Sequence, residues 1–290
     1  MAQRAEEISV QDLQQLMRLE DEDSFEVIDV RQDDEYLQGH IPGARHIPVG
    51  EVTKRLGELR PGRLHVFYCQ VGVRSRVAAA LARDSALVTG GIVHLAGGMR
   101  QWDGFAVEDA PRVVVFADVH DMRSLLLRAI DMEKAAHNLY SEVKAHMPVA
   151  PVCKLMDGLI SVEEAHARII HRLLRRWWGA ADGTFASFEE IFENSEGRIL
   201  EGGKNVEELE PWIRDAATGD CRAVADLALE IEFAAYDLYR SLAEEALEGG
   251  ALGDDAAKIF IDLARQEKKH IAMIIAALDQ LGPEQQADAS

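Results

Sequence analysis

The sequence predicts two domains of different class. The first is an α/β domain, a mainly parallel sheet with helices on both faces; the second is an all-α four-helix bundle. Short apolar strand patterns alternate with helical ones up to about residue 103. From about residue 121 the period is helical, in four long segments. Those segments form two pairs with the same pattern, a Glu on one helix and Glu-x-x-His on the next: Glu133 with Glu163 and His166, then Glu232 with Glu267 and His270. A chain of 290 residues also exceeds what one core usually organises. The expected boundaries are 1–110 for the first domain, 111–118 for a linker, 119–282 for the bundle and 283–290 for a polar tail. Gly104 and Pro111 mark the break between the halves.

In the first domain, Ser9 caps a helical pattern carried by Val10, Leu13, Leu16 and Met17. Phe25–Val30, His65–Tyr68 and Ile92–Leu95 read as short buried strands. Between the last two, Arg74–Ala82 reads as a helix, so strand, tight turn, helix and strand form a right-handed crossover. The turn is Cys69-Gln70-Val71-Gly72-Val73-Arg74, followed by Ser75. It sets a cysteine at the carboxyl end of a strand, where open parallel sheets place their sites. Loop amides and the positive end of the next helix lower a thiol pKa there and favour a bound anion. Gly72 lets the backbone curl, and Arg74 adds a fixed positive charge.

In the second domain, helices are expected over about 121–146, 152–178, 220–247 and 254–281, with Asp254 capping the last. Helices of roughly 26 residues span about 39 Å. The stretch 180–218, with a short helix near 206–217, is therefore a crossover along the bundle. Residues three apart share a helix face, so Glu163 with His166 and Glu267 with His270 can each grip one ion. Four inward Glu and two His make the di-iron or di-manganese carboxylate site of a ferritin-like bundle. The repeat runs on: Ala136 and Ala235 follow the first Glu by three, and Leu139-Tyr140 matches Leu238-Tyr239. The small residue leaves room at the site, and the Tyr can fill the core and hydrogen-bond a carboxylate. His137 reads as a core histidine, Glu164 and Glu230 as solvated face, and His171 as off the site. Trp177-Trp178 reads as a dimer contact or a helix-end anchor, and Cys153 with Cys221 as two free buried thiols rather than a redox pair.

The net charge is −20, and both halves are acidic, which argues against nucleic acid and anionic membranes as partners. No apolar leader opens the sequence and no run is long enough to span a bilayer. Three scattered cysteines argue against a disulfide framework, and the expected setting is a reducing cytoplasm.

Residues 6–106 resemble a single-domain rhodanese. The matching pieces are Asp29-Val30-Arg31, Glu35-Tyr36, Gly39–Ala44, Cys69-x-x-Gly72-x-Arg74-Ser75, Leu95–Gly98 and Trp102. The resemblance implies that Cys69 carries sulfane sulfur as a persulfide, with Arg74 as its catalytic partner, Gln70, Val71, Gly72, Val73 and Ser75 as the active-site loop, and Asp29 and Arg31 in support. Related cysteine phosphatases have a loop one residue longer, so phosphatase chemistry is not expected. Many thiosulfate-using members carry a second cation in this loop, whereas Gln70, Val71 and Val73 are uncharged. Polysulfide or a persulfide is therefore the favoured donor over thiosulfate.

The bundle resembles the rubrerythrin branch of the ferritin-like superfamily, over about 119–281. That implies two iron ions, with manganese or a mixed pair as alternatives. Glu133 and Glu232 would each cap one ion, Glu163 and Glu267 would bridge, and His166 and His270 would be terminal ligands. Rubrerythrins usually add a paired Cys-x-x-Cys domain that delivers electrons; here none is seen, which weighs against classical peroxidase activity and leaves a separate electron donor as an alternative. The combined expectation is a sulfurtransferase coupled to a di-iron redox domain that handles peroxide or sulfur species, in a homodimer. The alternatives are a protein whose bundle only stores iron, or senses iron or oxygen.

Overall fold

The computed structural model describes residues 7–147, 150–179, 183–200, 202–216, 221–247 and 253–280. In the first domain the chain runs β1 (Glu7–Ile8), α1 (Val10–Leu19), β2 (Phe25–Asp29), α2 (Asp33–Leu37), β3 (Arg45–His46), α3 (Val52–Arg55), β4 (Leu64–Tyr68), α4 (Val73–Asp84) and β5 (Gly91–Leu95). The sheet order is β1-β5-β4-β2-β3, with every neighbouring pair parallel. The three expected strands are its centre, and two-residue strands extend both edges.

Alternation along the strands sorts side chains to the two faces. Val27, Val66 and Tyr68 pack with Val10 and Leu13 of α1. Ile28, Phe67 and Cys69 pack with Ala78, Ala79 and Ala82 of α4. Small residues on α4 let that helix lie close to the sheet, while full burial of Leu13 contributes about 2 kcal/mol on the opposite face. Ser9 caps α1 by accepting the Asp12 amide.

The second domain is built from α5 (Met122–His146), α6 (Ala150–Leu174), α9 (Cys221–Leu247) and α10 (Gly253–Gln280). α5 packs on α6 and α9 on α10, and the crossover between the pairs holds α7 (Phe188–Asn194) and α8 (Val206–Ala216). α7 was not expected; Phe188 and Phe192, one turn apart, pin it to the bundle core. Asp121 caps α5 through the Ser124 amide. Asp254 lies inside the first turn of α10, which already includes Gly253, so it meets the helix dipole rather than capping. Trp178 donates to the Gly183 carbonyl and lies under Arg123, an anchor at the end of α6.

The domains are docked through buried charge. Glu22, wholly buried in the turn before β2, accepts from Tyr236 Oη (2.7 Å), Arg240 Nη1 (2.8 Å) and Lys268 Nζ (2.7 Å). In return, Asp237 of α9 meets His40 Nε2 (3.1 Å) and the Gly43 amide (2.6 Å). Glu244 receives Arg45 (2.5 Å), Arg60 (3.0 Å) and Arg63 (3.5 Å). Gly43 sits at φ +74°, and a Cβ there would come within 2.7 Å of the Tyr236 ring, so this approach needs glycine. Two acids of the bundle, Asp237 and Glu244, are thus committed to the domain junction. Glu164 and Glu230 do lie on the solvated face, paired with Arg168 and Lys204.

Glu22, Arg60 and Arg63 precede β2 and β4, so this part of the docking uses the amino-terminal edge of the sheet, while His40 and Gly43 belong to the loop that Arg31 ties to the carboxyl end of β2. Cys69 follows the carboxyl end of β4. Six residues of extended chain, ~20 Å, separate it from Arg63. Among the described residues no helix is long and apolar enough to cross a membrane.

Candidate functional site

At the end of β4 the chain turns sharply through Gln70 and Val71 into Gly72, whose φ of 90° is left-handed and open to glycine at little cost. That turn aims amides at the thiol. Cys69 Sγ accepts from the Gly72 amide (3.2 Å) and the Ser75 amide (3.4 Å), with Ser75 Oγ at 3.6 Å. Burial raises the thiol pKa, but the Ser75 hydroxyl and the amides of Ser75, Val71 and Gly72 prevail, leaving it below the ordinary thiol value. The start of α4 adds its positive end. Such a ring of donors favours a thiolate, and equally the anionic outer sulfur of a persulfide.

Arg74 gives both terminal nitrogens to Glu35, each at 2.6 Å. The Arg74 fork holds the Glu35 carboxyl down at about 2. The cation nearest the thiol is therefore already neutralised at the loop. Sequence marks Glu35 only as part of a motif; its pairing is tertiary. Asp29 and Arg31 form a buried pair (2.6 Å), and Arg31 also donates to the Gly39 carbonyl (2.7 Å), tying the end of β2 to the next loop. Around the mouth, Val71, Val73 and Val77 are exposed.

In the bundle, all six expected ligands are buried. Two groups of potential ligand atoms fall within 4.8 Å of one another: Glu163, His166 and His270, and Glu232, Glu267 and His270. His270 belongs to both, and its ring stacks on that of His166 (centroids 4.7 Å). Glu133 lies beside them, 3.8 Å from His166 Nδ1, but outside both groups. Tyr140 donates to Glu232, as the repeat suggested; Tyr239 is buried near Phe260. His137 packs edge-on to Phe192 and His171 meets the Ala186 carbonyl, so neither joins the site. All three cysteines are free thiols, but only Cys69 is buried; Cys153 and Cys221, expected to be buried, are half-exposed at the starts of α6 and α9.

Burial, helped by Glu232 and opposed by His270, pushes the Glu163 carboxyl up to about 7. Burial and His270 bring His166 down to about 3, while burial works against His270 and Glu163, Glu232 and Glu267 together hold it charged. Among the described residues no hydrogen-bond partner reaches either Glu163 oxygen, His166 Nδ1 or His270 Nε2. Burying such groups is costly unless a cation joins them. Mixed imidazole and carboxylate donors suit first-row transition ions, so these residues fit a metal pair.

A thiol ringed by amides behind a parallel strand, joined to a bundle with buried carboxylates and imidazoles, defines a protein of two domains, one rhodanese-like and one rubrerythrin-like. The chain belongs to the rhodanese-like domain family over residues 9–104, and residues 225–290 match the rubrerythrin family. The second match covers the α9–α10 half of the bundle; α5 and α6 enter through the internal repeat. The relatives lie in the first domain. YrkF of Bacillus subtilis is 36% identical over 98 residues, 34% of this chain and 51% of that protein. YtwF of the same organism is 32% identical, over 30% of this chain and 82% of that protein. A sulfurtransferase of Allochromatium vinosum is 33% identical, over 29% and 78%. The chain thus spans about half of YrkF, and 61% of the B. subtilis protein YqhL. The human single-domain sulfurtransferase TSTD1 is a solved structure 31% identical, covering 34% of this chain and 95% of that one, with a TM-score of 0.29.

Proposed function

We propose that this protein is a sulfurtransferase working through a Cys69 persulfide, joined to a bundle that holds two metal ions for redox chemistry on peroxide or sulfur species. The observation that carries the first half is the set of amides converging on Cys69 Sγ. The Cys69 thiolate attacks the outer sulfur of a donor R–S–S⁻. A new S–S bond forms and R–S⁻ leaves with the electron pair of the broken bond. A nucleophilic acceptor then takes that sulfur and returns the thiolate. Through these steps the loop amides hold the negative charge on sulfur, and Arg74 with Glu35 fixes the loop that presents them. With that charge neutralised, a persulfide or polysulfide is favoured over dianionic thiosulfate.

In the bundle, Glu133, Glu163, His166, Glu232, Glu267 and His270 would hold two irons, or manganese or a mixed pair. When bound, such a pair supplies electron transfer to or from the substrate. Tyr140 orients Glu232, and the apolar bundle core keeps water from the carboxylates. A separate partner supplies electrons. A second reading, in which the bundle senses iron or oxygen, is supported by the junction: Glu22 binds α9 and α10 together, so a shift of either helix reaches the first domain.

The test is to incubate protein purified with and without air with glutathione persulfide, polysulfide or thiosulfate. The Cys69 peptide should gain one sulfur atom with the first two donors, and metal analysis should give about two ions per chain. A Cys69→Ser chain that still turns over sulfane sulfur at the wild-type rate would end the sulfurtransferase reading.

A further inference from the structure

Where the two domains meet, beside the ionic junction, a crevice of about 500 Å³ lies open to solvent. That is drug-ligand size, roughly 300–1,000 Å³, and domain junctions are a preferred place for such sites. Its walls are apolar and partly aromatic: Met17 and Trp102 of the first domain, Phe105 of the connection, Phe233 of α9, and Ile271 and Ile275 of α10. Phe105 and Phe233 stack face to face across the junction, centroids 4.4 Å apart. Ile275 is 44% exposed and edges this apolar lining.

The charge of the crevice runs against that of the molecule. The chain holds 51 Asp and Glu against 31 Lys and Arg, yet the lining has no acidic residue and two basic ones, Arg18 and Lys268. Lys268 is already held by Glu22 and the Glu20 carbonyl. Arg18, at the rim, forms no ion pair among the described residues. An apolar slot with one uncommitted cation at its mouth complements a flat apolar body ending in an anion.

We propose that this crevice binds a planar aromatic molecule carrying one anionic group, its rings against Trp102, Phe105 and Phe233 and its anion on Arg18. The site goes beyond the sulfur and metal readings and stands without either. Its place is still suggestive: Phe233, Lys268 and Ile271 each directly follow a candidate ligand, Glu232, Glu267 and His270. The ligand would lie on the outer faces of the two helices whose inner faces bear those groups, and would touch both domains at once.

The test uses the full chain and two fluorescent probes of like shape, anionic 1-anilinonaphthalene-8-sulfonate and uncharged N-phenyl-1-naphthylamine. Each should bind once per chain. Ile275→Trp and, separately, Ala272→Trp fill the crevice from exposed positions of α10, and each should weaken both probes by about tenfold or more. Arg18→Gln should weaken only the anionic probe, by about tenfold, the loss of one charged contact. Wild-type binding of both probes in both filled variants, or an equal loss for the two probes in Arg18→Gln, would overturn the proposal.

Discussion

Removing the Glu22 carboxylate should loosen the whole molecule. In Glu22→Ala, Arg240 keeps the Glu22 backbone carbonyl (2.7 Å) but loses its ion pair, and Tyr236 and Lys268 lose an acceptor. Arg240 is 2% exposed, so water cannot readily replace the lost partner. Breaking one side of a buried pair costs about 3–5 kcal/mol. For a chain of this size each kcal/mol moves Tm by about 2–4 °C, so a fall of roughly 10 °C is expected. Glu22→Gln keeps an acceptor and should fall less. Scanning calorimetry is the assay: the wild type should melt in one transition because the junction joins the domains, and Glu22→Ala should split it in two. A single transition within about 2 °C of wild type would show that the junction contributes nothing to cooperativity, refuting the reasoning.

Further outcomes follow from the two sites. Cys153→Ser and Cys221→Ser should form the Cys69 persulfide at wild-type rates by mass spectrometry, since both thiols lie on helices of the second domain. Because the Cys69 pKa is lowered, the pH midpoint of its alkylation by iodoacetamide should lie below that of an ordinary thiol, and Ser75→Ala should move that midpoint upward. His270→Ala should lose both metal ions in elemental analysis because both ligand groups share it, whereas Glu133→Ala, outside both, should keep at least one. Glu35→Gln should free Arg74 and raise the rate with thiosulfate more than with a persulfide, read by a donor competition assay.

The two chemical sites were legible for local reasons. Glu163 with His166, and Glu267 with His270, stand one helical turn apart, so linear spacing already puts them on one face. The Cys69 turn is equally local, ending in a glycine the backbone needs. What the sequence hides is pairing across distance. Glu22 and Arg240 are 218 positions apart, and each alone looks like ordinary surface charge. Glu35 hides in the same way behind Arg74. The edge strands β1 and β3, two residues each, are too short for alternation to register, and α7 is too short for a helical period. Asp254 was misplaced because a cap and a first-turn acid look alike in sequence.

The strand's length between Cys69 and the docked edge has a kinetic consequence. On the sulfurtransferase reading, sulfur leaving that loop starts about 20 Å along β4 from the Arg63 contact with Glu244. Excess external thiol should therefore compete for it before it reaches that edge. What covalent linkage guarantees is a fixed one-to-one dosage of the two domains, a ratio that no change in expression can alter.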